Sequence, residues 1–383
     1  ADGKLTDIWA KAVVLRDAQK NEVVLITADL VGIGTESTKW VAEQLKKNHG
    51  LERNQFAIAT SHTHTGPALS DNLVPLHFLR ADEAQQNRIA EYTQQMRQML
   101  VDVVGLAYKE MEPAYLTSGS GHCTVAVNRR TNREAEVPQK RLEGKLNGPF
   151  DHDVPVLAIR NAEYELKTVV FGYACHSTVL SFTQWSGDYP GFAQLELEKR
   201  YPGIDAMFWA GCGADQNPLP RRTVELAQHY GQRVAQSVDS VLLGAMESVE
   251  GGLSAHYQEI AGKTQEPISR SDLNELLENG NQYEKPFAQY VLGKRDNVNP
   301  PPRTYPYPVQ TWHIGDIKMV FLGGEVVVDY ALKIKKTATS VSDKKIWVAG
   351  YANDVMAYIP STRVLLEGGY EGGGSNTYYG FPA

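Results

Sequence analysis

The sequence predicts an α/β fold of mixed β-sheets flanked by helices. Short apolar runs rich in Val, Ile and Ala alternate with amphipathic stretches of helical length, and such alternation builds sheets covered by helices. The runs break on Gly, Pro, Asn and Asp, and no unit of ~20–50 residues repeats along the chain. Several runs deliver a histidine, a glutamate or a tyrosine at their C-terminal ends, so residues from separate strands can meet at one sheet edge.

The elements follow in order. Ala12-Val13-Val14-Leu15 and the apolar run 23–30 read as a hairpin joined by the polar link 17–21. Thr35–His49 carries Trp40, Val41 and Leu45 at helical spacing, with Thr35 and Ser37 as candidate caps and Gly50 as its stop. A strand is expected at 55–60. A long helix over 83–109 places Ile89, Tyr92, Met96, Met99, Leu100 and Val103 on one core-facing stripe. Strands are expected at 114–119, 154–160, 167–175 and 205–210, with helices at 191–200 and 222–243. A strand at 253–260 precedes an excursion over 262–306, rich in charge, Asn and Pro, that turns helical at 271–279 and ends in Asn299-Pro300-Pro301-Pro302. Strands at 308–314 and 317–322, a helix at 325–336, a strand at 346–350 and a glycine-rich tail complete one domain over 1–383.

Composition narrows the function classes. A formal net charge of −7 and the lack of a Lys/Arg cluster interleaved with aromatics argue against nucleic-acid binding. No apolar run approaches the ~18 residues of a membrane-spanning helix, and Ala1-Asp2-Gly3-Lys4 is not a signal peptide. The three cysteines, Cys123, Cys175 and Cys212, form no CxxC pair and cannot all be disulfide-bonded to one another. Cys175 and Cys212 each end an apolar run and read as small core residues.

The most informative segment is Ser61-His62-Thr63-His64-Thr65-Gly66-Pro67, directly after Phe56-Ala57-Ile58-Ala59. If strand geometry persists, imidazoles at i and i+2 point the same way and can address one metal ion or one substrate atom. The plainer alternative is a polar strand end whose histidines bond nearby backbone. Three further sites share its context. His176 ends the run that includes Val169-Val170-Phe171-Gly172. Glu325 follows Gly323-Gly324, where an acid also favours a helix N-terminus. Tyr358 follows Asn353-Asp354. Asp188 and Asp215 lie in Gly/Asn turns and either bond their own backbone or brace a ligand histidine. The run 367–374 lacks the context of a dinucleotide loop and reads as a mobile loop at the mouth of a site.

Taken together these segments resemble the neutral/alkaline non-lysosomal ceramidase family, specifically its catalytic domain. The resemblance rests on SHTHTGP at 61–67, Val127-Asn128-Arg129, and His176 with Gly187-Asp188-Tyr189-Pro190-Gly191. It continues through Gly213-Ala214-Asp215-Gln216-Asn217-Pro218, Glu325, Ala357-Tyr358-Ile359-Pro360-Ser361, and Tyr370-Glu371-Gly372 with Tyr379-Gly380. It implies a ceramidase-like fold with a metal site at strand ends and a mononuclear zinc hydrolase that cleaves an amide bond of an N-acyl substrate, a ceramide-like lipid or a smaller compound, by metal-activated water. The implied zinc ligands are His62, His176, Glu325 and Tyr358. His64 is implied as the proton shuttle, Arg129 or Tyr358 as the group facing developing negative charge, and Asn128, Arg129, Asp188 and Gln216 as substrate-binding residues. Secretion or a periplasmic location is the family expectation.

Departures from the family sharpen the reading. Gln216 stands at about the place of the family's serine, which favours metal-activated water over an acyl-enzyme and argues against ceramide itself. The family's C-terminal immunoglobulin-like domain and its opening Ile-Thr-Pro strand are not expected within 1–383. Two other classes stay open: a zinc esterase or lactonase, and a non-catalytic homologue that binds a metal or ligand. A TIM-barrel hydrolase is a minor alternative, since eight regular strand–helix units are not readable.

Overall fold

The computed structural model describes residues 1–296, 303–339 and 345–380. Three main sheets carry the molecule. The first joins Ala10–Arg16 antiparallel to Glu22–Ala28, which runs parallel to Phe56–Thr60. Every residue of Phe56–Thr60 is buried, as expected of a parallel strand covered on both faces. The helices Thr35–His49 and Glu83–Lys109 cover this sheet, packing Leu45, Leu100 and Val104 against Ile26 and Ile58.

The second sheet has the order Glu247–Ser248, Tyr115–His122, Asp153–Arg160, Leu166–Tyr173, Asp205–Ala210, with only the last pair parallel. Helices Asp188–Arg200 and Val224–Leu242 pack on one face through Leu197, Val234 and Val238. The third sheet runs Leu253–Lys263, Thr304–Ile314, Ile317–Leu322, Lys345–Ala349. A shared core holds the three sheets together: Leu25 and Ala57 from the first, Val170 and Trp209 from the second, Trp312, Phe321 and Trp347 from the third. Two short ladders, Ala126–Asn128 with Gln216–Pro218 and Glu325–Val326 with Tyr358–Ile359, lie outside these sheets.

The structure corrects several expectations. The strands that flank the expected excursion are longer than 253–260 and 308–314, because Leu253–Lys263 and Thr304–Ile314 pair along their whole length. Between them stand two helices, Arg270–Asn279 and Glu284–Asp296, of which the second was not anticipated; residues 299–302 lie outside the described residues. The long helix buries Thr93, Met96, Arg97, Leu100, Val101 and Val104, while Met99 is 46% exposed. Thr35–His49 is capped by Gly34, without a side-chain bond from Thr35 or Ser37. All three cysteines are buried and unpaired. Among the described residues, no helix is long and apolar enough to cross a membrane.

Candidate active site

The site is built where separate sheets end side by side. The strand Phe56–Thr60 stops at Thr60, and His62 adopts φ 59, a left-handed conformation uncommon for a side chain with a Cβ. The two histidines of the HTH segment therefore converge through a turn, not through a continued strand pleat. The Nε2 atoms of His62 and His64 stand 3.1 Å apart. His176 follows Leu166–Tyr173, and its backbone N–H donates to the Gln216 carbonyl at 2.9 Å. Gly213 passes so close to Cys175 that a Cβ there would lie 2.7 Å from the Cys175 nitrogen. That close approach brings the Gly213 carbonyl within 2.8 Å of His176 Nδ1.

Glu325 and Tyr358 are partners in one parallel ladder, so their backbones are locked together before their side chains meet the histidines. Gly324, at φ 76, makes the turn into this ladder from Ile317–Leu322. Glu325 Oε2 lies 3.2 Å from His62 Nε2 and 3.0 Å from His176 Nε2, and the two Nε2 atoms are 3.2 Å apart. Its other oxygen, Oε1, accepts from the Tyr379 hydroxyl. The Tyr358 hydroxyl lies 3.3 Å from His176 Nε2 and accepts from Arg129 Nη2 at 3.2 Å.

The protonation pattern decides what this cluster can hold. His62 Nδ1 faces the Val31 carbonyl and His176 Nδ1 faces that of Gly213. Carbonyls only accept, so each imidazole carries its proton on Nδ1 and turns a bare Nε2 inward. Two lone-pair nitrogens and a carboxylate oxygen then crowd together with no donor among them, and Glu325 Oε2 is left without a hydrogen-bond partner although buried. Such a concentration of acceptors fits a cation. His62, His64 and His176 place ligand atoms within 4.8 Å of one another and form a group that can hold a metal ion.

The electrostatics agree. Burial pushes His176 down to about 4, with Arg129 adding to the effect. Burial alone would raise Glu325; positive charge at its side, supplied by protons on His62 and His176 when no metal is bound, holds the carboxyl well below its usual range, and a metal cation would take the place of those protons. His64 is the exposed member of the three. The protein packed about it and the two neighbouring imidazoles still lower its pKa well below the ordinary value. Burial and Glu325 raise Tyr358 well above 10, opposed by Arg129; only a cation beside the oxygen would favour a phenolate.

A cleft of about 840 Å³ opens over the cluster and is lined in part by His64, His176, Arg129, Tyr358 and Tyr370. Arg129 Nε donates to Glu371 Oε1 at 2.6 Å, and the guanidinium lies 5.4 Å from the Tyr370 ring centre. The glycine-rich segment contributes Glu367 to Glu371 to the rim.

Three residues expected to touch substrate lie behind the cleft lining. Asn128 donates to Asp215 and to the Pro149 carbonyl. Gln216 is fully buried and donates to the Pro149 carbonyl at 3.1 Å. Asp188, also fully buried, accepts from the backbone of Leu180 and Tyr189. None of the three lines the cleft; they brace its walls. Asp215 likewise bonds Val328 N–H and Asn128, not a histidine. Two contributors escaped a sequence-based role, Tyr379 on Glu325 and Glu371 on Arg129. Both lie in the closing Tyr-Glu-Gly and Tyr-Gly segments, which were the available signal.

A model of the neutral/alkaline non-lysosomal ceramidase N-terminal region matches residues 1–218. Among solved structures, neutral ceramidase from Pseudomonas aeruginosa superposes with a TM-score of 0.75 at 21% identity, covering 98% of this chain and 67% of that one. A ceramidase complexed with C2 gives 0.76 at 19% identity, covering 98% and 68%. No curated protein matches the sequence. The structural likeness extends the shared fold over the segment that supplies Glu325 and Tyr358, beyond the matched residues. With the family model covering more than half of its length, the chain belongs to the neutral/alkaline non-lysosomal ceramidase family.

Proposed function

We propose that this chain is a zinc-dependent hydrolase cleaving the amide bond of an N-acyl compound. The observation that carries the reading is the buried, unpartnered Glu325 Oε2 between two inward-facing imidazole nitrogens. His62, His176, Glu325 and Tyr358 would hold the ion, a nitrogen and oxygen donor set suited to zinc. A bound zinc ion lowers the pKa of water to about 7 and polarises a carbonyl.

The protein supplies orientation and charge. Val31 and Gly213 fix the two imidazoles through their Nδ1 atoms, and Tyr379 fixes the carboxylate. Arg129, pinned by Glu371, holds a positive charge against the Tyr358 hydroxyl, where negative charge develops on the substrate oxygen. His64 opens on the cleft and moves a proton to the departing nitrogen. Gln216, in the family's serine position, offers no hydroxyl nucleophile and is turned to Pro149. A ceramidase complexed with C2 among the similar structures supports testing N-acyl lipids beside smaller N-acyl compounds.

An amide and its isosteric ester separate this reading from an esterase, because only the amide needs protonation of a poor leaving group. The zinc-loaded protein is expected to cleave the amide, and His64→Ala to lose about 100-fold or more on the amide and less on the ester. Turnover of the ester with an inert amide would contradict the proposal.

A further inference from the structure

The wall of the cleft has an uneven charge balance. Arg129, Arg130, Arg133, Arg221 and Arg222 line it against Glu134, Glu367 and Glu371, and five positive charges less three negative leave two. The three acids are already committed. Glu371 bonds Arg129 and Arg130, each at 2.6 Å, Glu367 bonds Arg130 at 3.0 Å and also Arg363, and Glu134 bonds Arg221 at 3.1 Å.

The surplus is localised. Among the described residues, neither Arg133 nor Arg222 has a carboxylate ion-pair partner. Glu136, which feels the charge of Arg133, is itself paired with Lys140 at 2.8 Å. Arg133 precedes Glu134 and Arg222 follows Arg221, and because Glu134 and Arg221 are bonded to each other, the two free guanidiniums flank one ion pair on one stretch of wall. Arg222 is held there at φ 97, a costly conformation for a non-glycine residue, by its N–H bond to the Val179 carbonyl at 2.8 Å. Among the described residues, Leu180 and Leu219 are the sole aliphatic ones lining the cleft, so a substrate with two long chains would bury little apolar surface there.

We infer that the substrate is an N-acyl compound carrying an anionic group on the amine it releases, with Arg133 and Arg222 as the recognition pair. A carboxylate is the simplest such group, since a guanidinium fork matches it in shape as well as charge. This inference rests on the N-acyl hydrolase reading and narrows its substrate class away from neutral two-chain lipids.

The test uses N-octanoylglycine and N-octanoylglycinamide, which differ in the carboxylate alone. Binding is measured by calorimetry and cleavage separately, on the zinc-loaded wild type and on an Arg133→Glu/Arg222→Glu variant whose folding is checked by circular dichroism. The wild type is expected to bind the acid about tenfold more tightly than the amide. The double variant is expected to lose that preference, and an Arg133→Lys/Arg222→Lys variant to keep part of it. Equal affinity for the two probes, or a preference that survives charge reversal, overturns the inference. Because binding is read apart from cleavage, a protein that prefers the acid and cleaves neither probe keeps Arg133 and Arg222 as an anion-recognition pair and counts against the amidase reading. Equal binding with cleavage of both does the reverse.

Discussion

The floor and the wall of the cleft are built from opposite arrangements of charge. On the floor, two imidazole nitrogens and a carboxylate oxygen face one another as acceptors, each held from behind by a carbonyl or a hydroxyl. On the wall, arginines and glutamates pair directly, and one acid, Glu371, serves two arginines. The wall can satisfy most of its charge from within the protein; the floor cannot. A buried cluster of acceptors without a donor is costly, so the floor's geometry suits a cation, and in the proposed reading the wall acts as a filter for what enters.

Mutations should separate the two regions by size of effect. His62→Ala removes a floor atom with no substitute and is expected to abolish zinc binding and turnover together, a larger loss than the ~10–100-fold that follows removal of an outer partner. Arg129→Ala, at the junction of floor and wall, should retain zinc while kcat falls about 10²–10³-fold; loss of zinc in that variant would move Arg129 into the metal's support. Tyr379→Phe leaves every inward atom in place but frees Glu325 Oε1, and zinc affinity should fall ~10–100-fold. Unchanged affinity, measured by competition with a chelator, would remove Tyr379 from the site.

An effect on stability alone lies outside both regions. Asp354 accepts from Thr35 and Tyr305, and burial raises its pKa to about 6. A carboxyl whose folded pKa lies above its unfolded value of 3.8 stabilises the fold when protonated, and that contribution fades as pH rises from about 4 through about 6. Asp354→Asn keeps an acceptor without the charge and should flatten this part of the stability profile by at most about 3 kcal/mol. His77, lowered to about 4 by burial, opposes it, because its neutral form is favoured by folding and its contribution grows with pH over the same window. Urea midpoints of wild type and variant across pH 4–7 compare the two slopes; parallel slopes would mean Asp354 is ionised throughout.

Much of the floor was legible because its residues sit directly after buried strands. SHTHTGP, His176 and Glu325 each follow an apolar run, and their order together with Tyr358 carried the family resemblance. The left-handed turn at His62 was not legible, since nothing in a His-Thr-His triplet announces a positive φ. Tyr379 and Glu325 are 54 residues apart, a contact that no local period encodes. Asn128, Asp188 and Gln216 bond within the protein, and in sequence a polar side chain in a Gly/Asn-rich turn reads alike whether it faces a ligand or braces a backbone. The stretch 262–306 reads as an excursion because charge, Asn and Pro hide the ends of the strands Leu253–Lys263 and Thr304–Ile314. The pairing of these two strands comes from backbone bonds that composition does not display.

The most direct measurement is zinc content per chain on protein purified without a metal-affinity resin, for wild type and His176→Ala. About one zinc per wild-type chain and none in the variant is expected. A wild type that binds no metal even when zinc is supplied would contradict it, because the inward-facing acceptors of His62, His176 and Glu325 would then have to be held by protons alone.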